Sequence, residues 1–112
     1  MKKEYNKLVR DKIPEIIKQS GKKPNYRVIT DRNELLKLLA DKIIEEANEF
    51  KNAIDGNGDY LEELLDIVCV VNKIDSLCIS EENVTEVLDK EYKKDNEKGT
   101  FKNHIFLESV ED

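Results

Sequence analysis

Two apolar runs with helical spacing, "ELLKLLADKIIEEANEFKNAI" and "DYLEELLDIVCVVNKIDSLC", are separated only by a short turn containing "DGNG". Nothing else in the chain restricts its fold as much. In the first run Leu36, Leu39, Ile43, Ala47, Phe50 and Ile54 gather on one stripe at about 100° per residue, as in an amphipathic helix. Asp31, with Glu34 three residues later, forms an acidic variant of the capping box at its start, and Asp55-Gly56-Asn57-Gly58 breaks it. The second run is nearly continuous in its apolar middle and ends before Ser80. So short a connection makes the two helices antiparallel neighbours.

The flanks add less. Pro14 in "IPEIIKQSGKK" suits the first turn of a short helix that stops near Gly21, and "NYRVIT" reads as extended. Ser80 is expected to cap a further helix with a narrow apolar stripe of Val84, Val87, Leu88 and Tyr92, stopped by Gly99. The tail "TFKNHIFLES" is β-prone or extended. The expected fold is therefore all-α, a helical bundle with helices at about 14–20, 31–55, 59–78 and 81–98 and short extended segments at both ends. At 112 residues one compact domain spanning 1–112 is expected.

Composition excludes several function classes. With 39% charged and 38% hydrophobic residues, the apolar ones recurring throughout, the chain should fold rather than stay disordered. A net charge of -6 argues against holding a nucleic-acid polymer through a global field. Cys69 and Cys78 are nine apart and His104 is the single histidine, so there is no zinc pattern, and two buried thiols are expected. No segment has a signal-peptide h-region or the ~18 apolar residues of a membrane span, so a cytoplasmic, reducing location away from membranes is expected.

The first long helix carries an electrostatic fault. "IIEEANEF" places Glu45, Glu46 and Glu49 within five residues; Glu46/Glu49 at i,i+3 and Glu45/Glu49 at i,i+4 are repulsive pairs. On the second helix Glu63 and Asp66 repeat the i,i+3 spacing beside Glu62. Either patch alone reads as a solvated face. Across a tight antiparallel turn, however, the two converge on one cleft and require a counter-charge. Oxygen-only ligands with no cysteine or histidine select a hard divalent cation, Mg²⁺ first with Mn²⁺ as its substitute. Ile67, Val70 and Ile74 lie outside the second helix's main stripe and imply burial on two sides. Either the remaining segments cover it or a second subunit completes a four-helix bundle, giving a homodimer or homotetramer.

These residues resemble the MazG-like all-α nucleoside triphosphate pyrophosphohydrolases, a superfamily that includes phosphoribosyl-ATP pyrophosphohydrolase and dimeric dUTPases. Their pattern, Glu-Glu-x-x-Glu followed by Glu-x-x-Asp, stands here as Glu45-Glu46-Ala47-Asn48-Glu49 and Glu63-Leu64-Leu65-Asp66, over a region from Asp31 to about Cys78. "YNKLVRDKIPEII" and "KGTFKNHIFLE" look like a small house-cleaning branch of that superfamily. The resemblance implies Mg²⁺-dependent hydrolysis between the α- and β-phosphates of a nucleoside triphosphate, giving monophosphate and pyrophosphate. It makes Glu46, Glu49, Glu63 and Asp66 metal ligands, with Glu45 as catalytic residue, orienting or deprotonating water or holding a second ion. Two tandem domains are frequent in the family and this chain has one, so a substrate is not carried over from longer relatives.

Phosphates also need protein cations. "NKLVRDK" offers Lys7, Arg10 and Lys12, and Arg10 has the planar fork that suits phosphate oxygens. Lys73 and, in the tail, Lys102 are further phosphate candidates; Asn72 and Asp75 point to an apolar stripe and either line a base pocket or make an interhelical hydrogen bond. Alternatives to a house-cleaning pyrophosphohydrolase are a phosphoribosyl-ATP pyrophosphohydrolase of histidine biosynthesis, a noncatalytic nucleotide- or protein-binding module, and a structural helical oligomer.

Overall fold

The structure, a computed structural model, describes residues 2–112, with the side chain of Asn57 excepted. The described residues form four α-helices, α1 (Ile13–Gln19), α2 (Arg32–Asn52), α3 (Tyr60–Cys78) and α4 (Val84–Lys98), with a π-helical turn at Ala53–Asn57 and no strand among them. The all-α expectation holds. The chain divides into two compact units, one reaching Asp75 and the other starting at Ser76, so the division falls in the last turn of α3.

In the first unit the Asp31 side chain accepts the Glu34 N–H at 2.9 Å and caps α2. The reciprocal half of the capping box does not form. Glu34 instead takes both guanidinium nitrogens of Arg27, at 2.6 and 3.1 Å, so "NYRVIT" is tied to the first turn of α2 without forming a strand. At the far end Gly56 adopts φ +92, a left-handed conformation that L side chains resist, and the chain reverses. Asp59 then accepts the N–H groups of Leu61 and Glu62 at 3.0 and 3.3 Å and caps α3.

The buried line of α2 departs from the expected stripe. Leu39 and Glu46 on α2 are buried and so is Ala53 in the turn, whereas Ala47 and Ile54 are exposed. Glu46 thus lies on the inward face, in line with Leu39 and Ala53. Rotating the helix this way turns the carboxylates toward α3 and leaves the Ala47/Ile54 side open.

Two expectations fail in the second unit and at the thiols. Ser80 does not cap α4: the helix begins at Val84, because the Asn83 side chain accepts the Ser80 N–H and donates to the Cys78 carbonyl, both at 2.8 Å, holding residues 80–83 as a turn. Gly99, at φ +80 with its N–H on the Asp95 carbonyl at 2.9 Å, does end the helix. Cys69 is half-buried and Cys78 exposed, so the thiols are not core residues of the single chain.

Little of the chain is covered. Leu61, Leu64, Leu65, Val68 and Val71 of α3 are all exposed, at spacings that form one apolar seam. The chain exposes 10537 Å², where two independent globules of these two sizes would expose roughly 7,500 Å².

Candidate metal centre

The reversal at Gly56 brings α3 back along α2, and three carboxylates meet. One oxygen each from Glu46, Glu63 and Asp66 lie within 4.8 Å of one another. Glu46 is 6% exposed and Glu63 and Asp66 are half-buried. Glu46 Oε2 and Glu63 Oε2 are shielded from solvent without a hydrogen-bond partner. A buried carboxylate oxygen left unmatched is costly, so a pair of them beside a third acid favours either a retained proton or a nearby cation.

Glu49, the fourth acid expected to bind metal, is exposed and stands outside that triangle. It is still felt there. The Glu46 carboxyl is held above its ordinary range first by burial and then by the Glu49 carboxylate, against an opposing pull from Lys42.

Cations ring the cluster from two sides. Arg10 Nη2 donates to Asp66 Oδ1 at 2.8 Å, and Lys7 Nζ to Glu45 Oε1 at 2.8 Å. Lys42 Nζ sits 3.4 Å from both Glu45 Oε1 and Glu46 Oε1. The hydrogen bond from Lys7 is the largest influence holding the Glu45 carboxyl below its ordinary range, reinforced by Lys42 and opposed by partial burial. A carboxylate so paired is a weaker proton acceptor, which favours orienting a water over deprotonating it.

Five carboxylates, Glu45, Glu46, Glu49, Glu63 and Asp66, therefore face three paired cations, Lys7, Arg10 and Lys42. The excess of two negative charges is what one divalent ion neutralises. The oxygen-only donors and the two orphaned oxygens fit Mg²⁺ or Mn²⁺.

The other expected residues are placed less closely. Lys12 is exposed at the start of α1, where its carbonyl accepts the Ile16 N–H at 3.0 Å. Asn72, Lys73 and Asp75 are exposed on α3, and Lys102 is exposed in the second unit. Lys42 is the cation of the cluster that sequence reasoning missed, although its i,i+3 and i,i+4 offsets from Glu45 and Glu46 were readable as ion-pair spacings. No protein-family model, curated protein or solved structure matches the chain.

Proposed function

We propose that the chain is a Mg²⁺-dependent nucleotide pyrophosphohydrolase that splits a noncanonical or surplus nucleoside triphosphate between its α- and β-phosphates, a house-cleaning activity of the cytoplasm. The observation that carries this reading is the convergence of Glu46, Glu63 and Asp66 with two buried, unpartnered carboxylate oxygens among them. The MazG-like pattern Glu45-Glu46-x-x-Glu49 with Glu63-x-x-Asp66 supplies the reaction type.

In this reading Glu46, Glu63 and Asp66 hold the ion, and Glu49 completes the set from the exposed side. Mg²⁺, when bound, supplies charge that neutralises phosphate oxygens and acidifies a water for attack. Glu45, fixed between Lys7 and Lys42, orients that water. Arg10 and Lys7 offer donors to the phosphates, with Lys12 and Lys73 as further phosphate-binding candidates and Asn72 and Asp75 at the base. No covalent nucleophile is needed, since positioning and charge stabilisation carry phosphoryl chemistry.

The active form is proposed to be a homodimer or homotetramer. The seam of Leu61, Leu64, Leu65, Val68 and Val71 and the large exposed area of the single chain support a second copy as its cover.

The test is a panel of ordinary and modified (deoxy)nucleoside triphosphates, with phosphoribosyl-ATP included, incubated with Mg²⁺ and analysed for products. Monophosphate plus pyrophosphate is expected, falling by about 10²-fold or more in Glu46→Gln and Asp66→Asn. No pyrophosphate from any substrate, or equal release by the variants, refutes the assignment.

A further inference from the structure

The N-terminal segment reaches the acidic cluster by a construction unlike that of the helices. Residues 2–10 form no helix or strand, and Leu8 is the sole half-buried side chain among them. Two ion pairs join the segment to the metal-binding face: Lys7 to Glu45 of α2 and Arg10 to Asp66 of α3, each at 2.8 Å. Arg10 then passes directly into α1, its carbonyl accepting the Ile13 N–H at 3.0 Å. The segment is thus hinged on a short helix and fastened chiefly by charge.

One of those fastenings uses a carboxylate of the converging cluster. Asp66 is one of the three carboxylates that converge, and it is also the partner of the Arg10 guanidinium. An ion held by the Asp66 carboxylate would share that carboxylate with a guanidinium whose Nη2 lies 2.8 Å from Oδ1. Two positive groups on one carboxylate oppose each other in a half-buried site. Glu46 sets the stakes, because it is 6% exposed and its Oε2 has no partner, so the ion gains there what Arg10 cannot supply.

The geometry points to a cation exchange: Arg10 is a place-holder for the divalent ion on Asp66, and ion entry releases the guanidinium and its segment toward the phosphates of the nucleotide. This rests on the metal-site reading above and adds its regulation. Lys7 remains as an anchor, since Glu45 lies outside the three converging carboxylates and keeps both Lys7 and Lys42. The exchange orders the two binding events. Metal-free protein keeps its phosphate-binding arginine engaged, and metal loading makes it available.

Exchange has a sign that a structural ion pair lacks. If Arg10 competes with the ion, removing it tightens ion binding; if it props the site open, removing it weakens binding. The experiment is calorimetric titration of the full chain with MgCl₂ alone, without nucleotide, for wild type, Arg10→Gln and Arg10→Lys, with hydrogen exchange of residues 2–12 followed in wild type. Expected are a Kd for Mg²⁺ at least about fivefold lower in Arg10→Gln, a smaller change in Arg10→Lys, and faster exchange of residues 2–12 once Mg²⁺ saturates the protein. Wild type that binds Mg²⁺ while Arg10→Gln binds it equally or more weakly overturns the exchange and leaves the metal site standing. Wild type that does not bind Mg²⁺ overturns both.

Discussion

Glu46 is the residue on which the electrostatics turn. In the metal-free chain its raised pKa means that the folded state keeps a proton the unfolded state has already released. Its contribution therefore falls as pH rises from the ordinary carboxylate value through the raised folded value, and at neutral pH Glu46 works against folding. Glu45 has the opposite sign: its lowered pKa adds stability that is present above the ordinary carboxylate value and lost as pH falls through the folded one. Glu46→Gln keeps the shape, removes the charge and can donate to the neighbouring carboxylates. Without divalent ions the variant is expected to melt a few degrees above wild type at neutral pH, about 1 kcal/mol corresponding to roughly 4–8 °C in a domain of this size. The gap should shrink as pH falls toward the ordinary carboxylate range; thermal melts by circular dichroism in chelator read it, and a variant less stable at neutral pH contradicts it.

At the scale of elements, the acidic face depends on one turn. Gly56 adopts φ +92 with no atom within 4 Å of an added Cβ, so Gly56→Ala isolates backbone strain from crowding. It should cost about 1–2 kcal/mol and weaken Mg²⁺ binding, because Glu63 and Asp66 are positioned by the reversal; denaturant melts and ion titration measure the two effects. The turn and both long helices were legible in the sequence, since periodicity, Asp31 and the glycines mark them locally. So was the convergence of Glu46 with Glu63 and Asp66, which follows from i,i+3 spacing and a short connection. The pairing of Arg10 with Asp66, 56 positions apart, was not legible, because it depends on where an irregular segment returns to the helices. The start of α4 escaped for a local reason: the Asn83 side chain bonds back to the Ser80 N–H and the Cys78 carbonyl, which holds residues 80–83 as a turn and delays the helix to Val84.

At the scale of the whole molecule, the single chain leaves apolar surface that a monomer of its size does not ordinarily expose. Glu46 is turned inward and Ile54 outward, so the acids take one face and apolar side chains are left on another, the face on which the proposed second copy would sit. Sedimentation should find a species larger than 13.0 kDa, with a melting temperature that rises with protein concentration. Leu65, 58% exposed in the α3 seam, is the place to break it: Leu65→Glu is expected to give monomers with a lower melting temperature. Wild-type monomer at every concentration contradicts the assembly.

The claim beneath all of these is that Glu46, Glu63 and Asp66 hold one divalent cation. Anomalous diffraction from crystals grown with Mn²⁺ tests it without reference to substrate or activity. The expected map has a single strong peak about 2 Å from one oxygen of each of the three carboxylates. Full-strength data with no peak there, or with Mn²⁺ bound elsewhere while Arg10 still holds Asp66, would contradict it.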